Sequence, residues 1–277
     1  MNVVGNMRDS DGSHANHQMN KLLDKFGSSS SCLRNQVFPA HGELLIQWGF
    51  KPTTSLLTCI AARQPFVILD LGYFEPTRYQ NFSVSINGFH GLSMRPDFVD
   101  GLKARPHPPV QPWKEDGENI IMLGQLDGDQ SLRGKDVTPL LHREACRVQD
   151  IYHKPVIKRP HPKMLNPWEP QPVPLEDTFD STYLYVTYNS TASVQTILAG
   201  CRTIALHPGC PAYEMCGKDG AVRMPGREGW VKRLSHAEYN FSDELDIERC
   251  ANYITKAFPQ ARDEAEAGNV DTEGLPL

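Results

Sequence analysis

No part of this chain is built to cross a bilayer as a helix. A span needs about 20 consecutive apolar residues, and no run approaches that length. The N-terminus lacks the basic stretch and apolar core of a secretory signal, so the expected place of action is the cytoplasm, with no membrane partner. Nor do any two of the seven cysteines stand at C-x-x-C spacing; they are scattered at 32, 59, 146, 201, 210, 216 and 250. This disfavours the common zinc and redox motifs and fits reduced thiols, leaving His207 with Cys210 and Cys216 as a weak metal option. A dominant charge is missing too. A net charge of −5 and a pI near 6.1 do not advertise nucleic-acid binding. Charge is nevertheless uneven. Residues 133–163 carry eight Lys and Arg against three Asp and Glu, and residues 260–277 carry one Arg against five acids. The plain reading of the basic stretch is a solvated helix face with its loops.

What is present fits two modest domains or one large one in 277 residues. Prolines 96, 106, 108, 109 and 112 mark a linker over 96–113. Before it, strands are expected at 2–5, 42–50, 66–71 and 82–86, with helices over 18–26 and from Thr54 onward. Asn87-Gly88 reads as a turn. After the linker, Asn119–Leu123 reads as a strand, and Thr138 as the cap of a helix with Pro139 at its first position. Pro155–Lys158 follows as a strand. The expected division is an N-terminal Rossmann-like domain over 1–112 and a second over 113–241. A helix over 242–258 and an acidic, unstructured tail over 259–277 complete it.

The sharpest signal is Tyr183–Gly209, YLYVTYNSTASVQTILAGCRTIALHPG. Tyr183–Thr187 is a short apolar strand. Asn189, Ser190 and Thr191 offer capping side chains; Val194, Ile197 and Leu198 share a helical face, and Gly200 suits a helix end. Thr203–Leu206 is a second strand, closed by Pro208-Gly209. Strands joined by one short helix run parallel, so Asn189–Thr191 are expected at the carboxyl edge of a sheet, where a helix start favours an anion such as phosphate.

Three segments occur in a suggestive order: Asp70-Leu71-Gly72-Tyr73-Phe74, Arg159-Pro160-His161-Pro162, and Ser190-Thr191 within TYNSTASV. Together with Trp48-Gly49, Ser85–Gly88, Pro112-Trp113 and Arg227–Trp230, the set resembles GT-B-type glycosyltransferases, most of all small phage-encoded and capsule-polysaccharide members. It covers about residues 44–258. Bacterial sialyltransferases carry a similar trio, with a second acid where this chain has Leu69. The resemblance implies an α/β fold of two doubly wound Rossmann-like domains facing across a cleft, a nucleotide-sugar co-substrate and no cofactor or metal.

Chemistry supports the same roles. A departing phosphate needs positive potential and N–H donors. Arg159, Asn189, Ser190, Thr191, Gln125, Pro208 and Gly209 are the expected donor contacts, and His161 a catalytic residue. An acceptor hydroxyl needs a general base, for which Asp70 is the candidate. Each has a blander reading as well: Asp70 as a loop acid, His161 as a turn histidine, Ser190 and Thr191 as plain caps. Tyr73, Arg78, Tyr79 and Asn87 are the expected acceptor contacts, with the aromatic rings as stacking surfaces. Asp127-Gly128-Asp129 is an alternative metal motif. The second Arg-Pro-His-Pro copy, at 105–108, reads as coincidence or a hinge surface. The lead acceptor is hydroxymethylated pyrimidine in phage DNA. A polysaccharide precursor is the alternative, as is a non-catalytic role in binding nucleotide sugar or nucleic acid. Oligomeric state has no sequence signal.

Overall fold

The computed structural model describes the chain except residues 8–13, 28, 34–38, 41, 75–79, 97–104, 162–163, 165–172, 217–224 and 274–277. Arg78 and Tyr79 lie outside the described residues. The chain divides into two compact units. Unit 1 is Met1–Pro106 with Lys232–Leu277, and unit 2 is His107–Val231.

Unit 1 is built on a six-stranded sheet. In chain order its elements are β1 (Val3–Met7), α1 (His14–Asp24), β2 (Ser29–Leu33), β3 (Leu44–Trp48), α2 (Thr54–Ala61), β4 (Phe66–Leu71) and β5 (Asn81–Ile86). Strands β1 to β4 are parallel, and β5 returns antiparallel on β4. Alternation sets the two faces. Ile46, Trp48, Val67, Leu69, Phe82, Val84 and Ile86 enter one core, while Leu45, Phe66 and Ile68 pack with Leu56, Cys59 and Ile60 of α2 in another. Thr53 caps α2, its hydroxyl accepting from Leu56 N at 3.2 Å.

Unit 2 holds a four-stranded, wholly parallel sheet. Its elements are β6 (Asn119–Leu123), α3 (Thr138–Tyr152), β7 (Val156–Arg159), β8 (Thr182–Thr187), α4 (Ala192–Leu198) and β9 (Arg202–Ala205). The sheet order is β7-β6-β8-β9. Leu141, Ala145 and Val148 of α3 cover the face carrying Ile120, Met122, Leu184 and Val186. Ile121, Leu123 and Tyr185 on the other face pack with Ala192 and Ala199 at the two ends of α4. The α4 end is as the sequence suggests: Gly200 has φ +78, and the Pro112 carbonyl fills the space a Cβ there would need.

Helix α5 (Arg227–His236) contains the second junction, after which β10 (Glu238–Asn240) and α6 (Glu244–Glu266) return to unit 1. β10 pairs antiparallel with β5, giving the order β10-β5-β4-β3-β1-β2. Helix α6 supplies Ile247, Cys250, Tyr253, Ile254, Ala257 and Ala261 to the core shared with α1.

Several expectations change. The expected boundary at 112/113 falls at 106/107, and residues 232–241 belong to unit 1. Thr138 does not cap α3: Val137 stands at the cap without a side-chain bond, and the Asp136 carboxylate accepts from Thr138 N at 2.9 Å. The expected tail after Pro259 is in part helix, since α6 runs on to Glu266. Proline removes one backbone donor, but Ala261 and Ala265 are buried and Asn87 Nδ2 donates to Ala261 O at 2.6 Å, so tertiary contact carries the helix through. No helix among the described residues is long and apolar enough to cross a membrane.

Candidate functional site

In unit 2 all four strands run parallel, so their carboxyl ends share one sheet edge. The path from β6 through α3 leads to β7 on one side, and the path from β8 through α4 leads to β9 on the other. The winding reverses between β6 and β8, the position where open α/β sheets bind ligands. Gln125 and Asn189 stand there, just past those two strands. Asn189 N donates to Gln125 Oε1 at 3.1 Å, and Gln125 Nε2 donates to Asn189 Oδ1 at 2.5 Å. Asn189 Nδ2 also donates to Ser131 O at 2.7 Å. This exchange fixes the spacing of the two loops.

Next to it, the start of α4 is largely self-satisfied. Ser190 N donates to Thr187 Oγ1 at 3.2 Å, Ala192 N to Ser190 Oγ at 3.2 Å, Ser193 N to Ser190 O at 3.1 Å and Val194 N to Thr191 O at 2.9 Å. Thr191 stands at the cap without a side-chain bond. The expected capping by Asn189 is replaced by its bonds to Gln125 and Ser131, because the turn supplies nearer acceptors for the helix N–H groups.

The other expected donor residues surround this edge. Gly124 N donates to Arg159 O at 2.8 Å, and a Cβ on Gly124 would lie 3.3 Å from Pro160 Cα and 3.4 Å from His161 N. The glycine thus lets the Arg159–His161 turn close against the end of β6. The Arg159 guanidinium donates to Val173 O at 2.6 Å. After β9, His207 Nδ1 accepts from Gly209 N at 2.9 Å, and its ring rests 4.9 Å from Tyr188, fixing the Pro208-Gly209 turn. Beneath Ser190, Ser193 Oγ lies 3.1 Å from Cys210 Sγ. Burial pushes the Cys216 thiol well up, and its contact with Cys210 adds to the rise. Among the described residues no group of three His, Cys, Asp or Glu is placed to hold a metal ion. Asp129 Oδ1 accepts from Ser131 N at 2.8 Å, so that carboxylate closes a turn.

In unit 1, Asp70 lies on β4 directly across from Ser83 on β5, which is itself across from Glu238 on β10. Opposed residues share a face, so Asp70, Ser83 and Glu238 form one row. Asp70 is partly exposed, and its Oδ1 accepts from Leu71 N at 2.7 Å. Glu238 is 1% exposed; its Oε2 accepts from Tyr73 N at 2.5 Å and Phe74 N at 3.0 Å. Arg105 lies 3.7 Å from Glu238 and 3.7 Å from Asp246. The Arg-Pro-His-Pro copy at 105–108 therefore supplies the counter-charge for two buried acids. Gly72 makes room for the same carboxylate, since a Cβ there would lie 2.9 Å from Glu238 Oε1. The winding of this sheet reverses between β1 and β3. There Asn6 Nδ2 donates to Gln47 Oε1 at 2.9 Å and to Thr53 Oγ1 at 3.2 Å.

Two expected acceptor contacts are corrected. Tyr73 is 2% exposed, with its ring 5.4 Å from His90, so it is a core residue rather than an open stacking surface. Burial also pushes its hydroxyl above the usual range. Asn87 is 1% exposed and follows β5, at the opposite end of the strand pair from Asp70. Its Oδ1 accepts from Phe66 N at 3.1 Å and its Nδ2 reaches α6, making it a structural clamp. Sequence reading missed Glu238, Asn6, Gln47 and Gly124, and took Arg105 for coincidence or hinge surface rather than the partner of two buried acids. Only Gly124 carries a local signal, a glycine just past a strand.

Two solved structures share this fold, two α/β units, the first on a mixed sheet and the second on a wholly parallel one. A KpsC protein of Thermosulfurimonas dismutans described as a β-Kdo 2,7 transferase superposes with TM-score 0.54 at 12% identity, covering 92% of this chain and 99% of that one. Another from the same organism, described as a β-Kdo 2,4 transferase, superposes with TM-score 0.52 at 12% identity over 90% of this chain and 97% of that one. No protein-family model and no curated protein sequence matches the chain.

Proposed function

We propose that this protein is a glycosyltransferase that moves a sugar from a nucleotide-activated donor to a hydroxyl acceptor. The observation that carries this is the gathering of Gln125, Arg159–His161, Asn189–Thr191 and Pro208-Gly209 along one carboxyl edge of unit 2, around its winding reversal. The fold likeness to Kdo transferases supports it. Unit 2 holds the donor. Arg159 and His161 bring positive charge and donors to the leaving phosphate, and the Thr191 backbone adds an N–H. Asp70 takes the proton of the acceptor hydroxyl as its oxygen bonds to the anomeric carbon and the bond to phosphate breaks. These groups need no metal ion, so transfer is expected to persist in EDTA.

The acceptor we favour is a saccharide, since the fold neighbours are described as Kdo transferases. Hydroxymethylated DNA is the second reading, motivated by the exposed cations Arg143 and Lys158 in the basic stretch. The test is incubation with a panel of nucleotide sugars, Kdo-activated donors included, and with saccharide or hydroxymethylated DNA acceptors. Mass analysis of acceptors and released nucleotide reads the result. Transfer to DNA that falls steeply with salt would select the second acceptor. No nucleotide release from any donor would overturn the transferase reading.

A further inference from the structure

Helix α3 carries an exposed cysteine beside an exposed histidine. Cysteine is among the most commonly buried residue types, and Cys59, Cys201, Cys210, Cys216 and Cys250 are all buried. Cys146 is exposed, and so is His142 one turn before it. Cys146 Sγ lies 3.9 Å from His142 Nε2. Among the described residues neither side chain has another hydrogen-bond or ion-pair partner, so both are open to a ligand from solvent.

The helix holds this pair by its buried face. Leu141 and Ala145, the residues just before His142 and Cys146, lie in the core of unit 2. Residues four apart on a helix are surface neighbours, so core packing fixes both Cα positions and only side-chain rotation is left to set the donor atoms. The same spacing lets two histidines of one helix share a zinc ion in the H-E-x-x-H motif. Thiolate and imidazole are ligands zinc takes readily, at about 2.3 Å for sulfur and about 2.0–2.1 Å for nitrogen. Around a tetrahedral ion those bonds set the two donors roughly 3.6 Å apart. The observed 3.9 Å is a small rotation away from that edge. The neighbouring charges are mixed. Asp150, exposed one turn beyond Cys146, favours a cation, Arg143 is exposed beside His142, and Arg147 is engaged by Glu144 at 2.9 Å.

We propose that His142 and Cys146 chelate a zinc ion on the solvent face of α3, through the imidazole Nε2 and the thiolate, with water in the remaining positions. No third His, Cys, Asp or Glu joins them among the described residues, so the site is open rather than a closed structural one. Binding sends the thiol proton to solvent as the S–Zn bond forms, with no change of oxidation state. The pair sits in the middle turns of α3 and not at the carboxyl sheet edge, so the site does not depend on the transferase reading.

The test is titration of the whole, reduced protein with cobalt(II) and then zinc. Cobalt should give a thiolate charge-transfer band in the near ultraviolet, and zinc should erase it by displacement. Zinc should also slow alkylation of Cys146 by more than about tenfold, because the bound thiolate is no longer free to attack. Cys146→Ser should abolish the band. His142→Ala keeps the thiol but should weaken zinc by more than about tenfold, since even the partners behind a metal ligand are worth roughly 10–100-fold. Both residues are exposed, and unchanged melting of the metal-free variants would establish that the fold is intact. Absence of the band overturns the proposal, as does a band that survives Cys146→Ser. Wild-type zinc affinity in His142→Ala reduces the site to a single thiol and overturns the chelate.

Discussion

The carboxylate of Glu238 occupies the space that a Cβ on Gly72 would need. It also accepts the two N–H groups that follow, from Tyr73 and Phe74. A turn that reads in sequence as a glycine punctuation mark is therefore shaped around an acid 166 residues away. Gly72→Ala should destabilise the protein by roughly 1–3 kcal/mol, the usual cost of overpacking a filled site. Urea unfolding measures it, and wild-type stability in the variant would mean that the carboxylate has room to move.

Asp70→Asn separates chemistry from structure. The amide retains an oxygen for the Leu71 N–H, so melting should not change. Transfer should fall by roughly 10²–10⁴-fold, as for loss of a general base, with donor affinity kept. Wild-type turnover in this variant would remove Asp70 from the mechanism.

Gln125 and Asn189 bond to each other twice, so their substitutions should not add. A double-mutant cycle with Gln125→Ala and Asn189→Ala should show a coupling of about 0.5–3 kcal/mol in stability. The same cycle read in donor affinity should also couple, if the pair spaces the two loops around the donor. Additive effects in both measurements would mean the two loops are held independently.

Burial raises the Cys59 thiol from 9.0 to about 12 and the Cys201 thiol to about 11. Alkylation of the native protein at mild alkaline pH should mark Cys146, which is exposed, well before these two. A folded pKa above the unfolded one gives stability that is whole below the unfolded pKa and is lost as pH rises through the folded value. Melting temperature should therefore fall as pH climbs from 9.0 to about 12. Replacing Cys59 by Ser should flatten part of that fall; an unchanged slope would assign it to other groups.

Local periodicity made much of the fold legible. Phe66–Leu71 and Asn119–Leu123 emerge with the expected limits, because apolar runs between turn residues specify buried strands. The gathering of Asn189–Thr191 at a carboxyl sheet edge was readable for the same reason. What escaped depends on distant partners. Glu238 has ordinary sequence surroundings, and the repeat that singles out Arg105 does not reveal its partner; only the return of the chain to β5 brings Glu238 beside Gly72 and Arg105. Tyr73 follows a polar turn and reads as exposed, but the Glu238 bonds fold that turn inward. Pro259 reads as a stop, and packing of Ala261 overrides it.

The chain leaves unit 1 at Pro106 and re-enters it at Lys232. A ribosome therefore completes all of unit 2 before it has made the strand carrying Glu238 or the helix that seals the first core. Until then the turn at Gly72 lacks the acid it is shaped around, and Ile46, Trp48, Val67 and Leu69 lack the cover of α6. A nascent chain released at Val231 would carry a finished second unit on an open first one, with bare apolar surface of the kind that recruits chaperones and seeds aggregation. Birth order thus makes the later segment, from Lys232 through α6, the one that decides whether the earlier strands β1 to β4 fold.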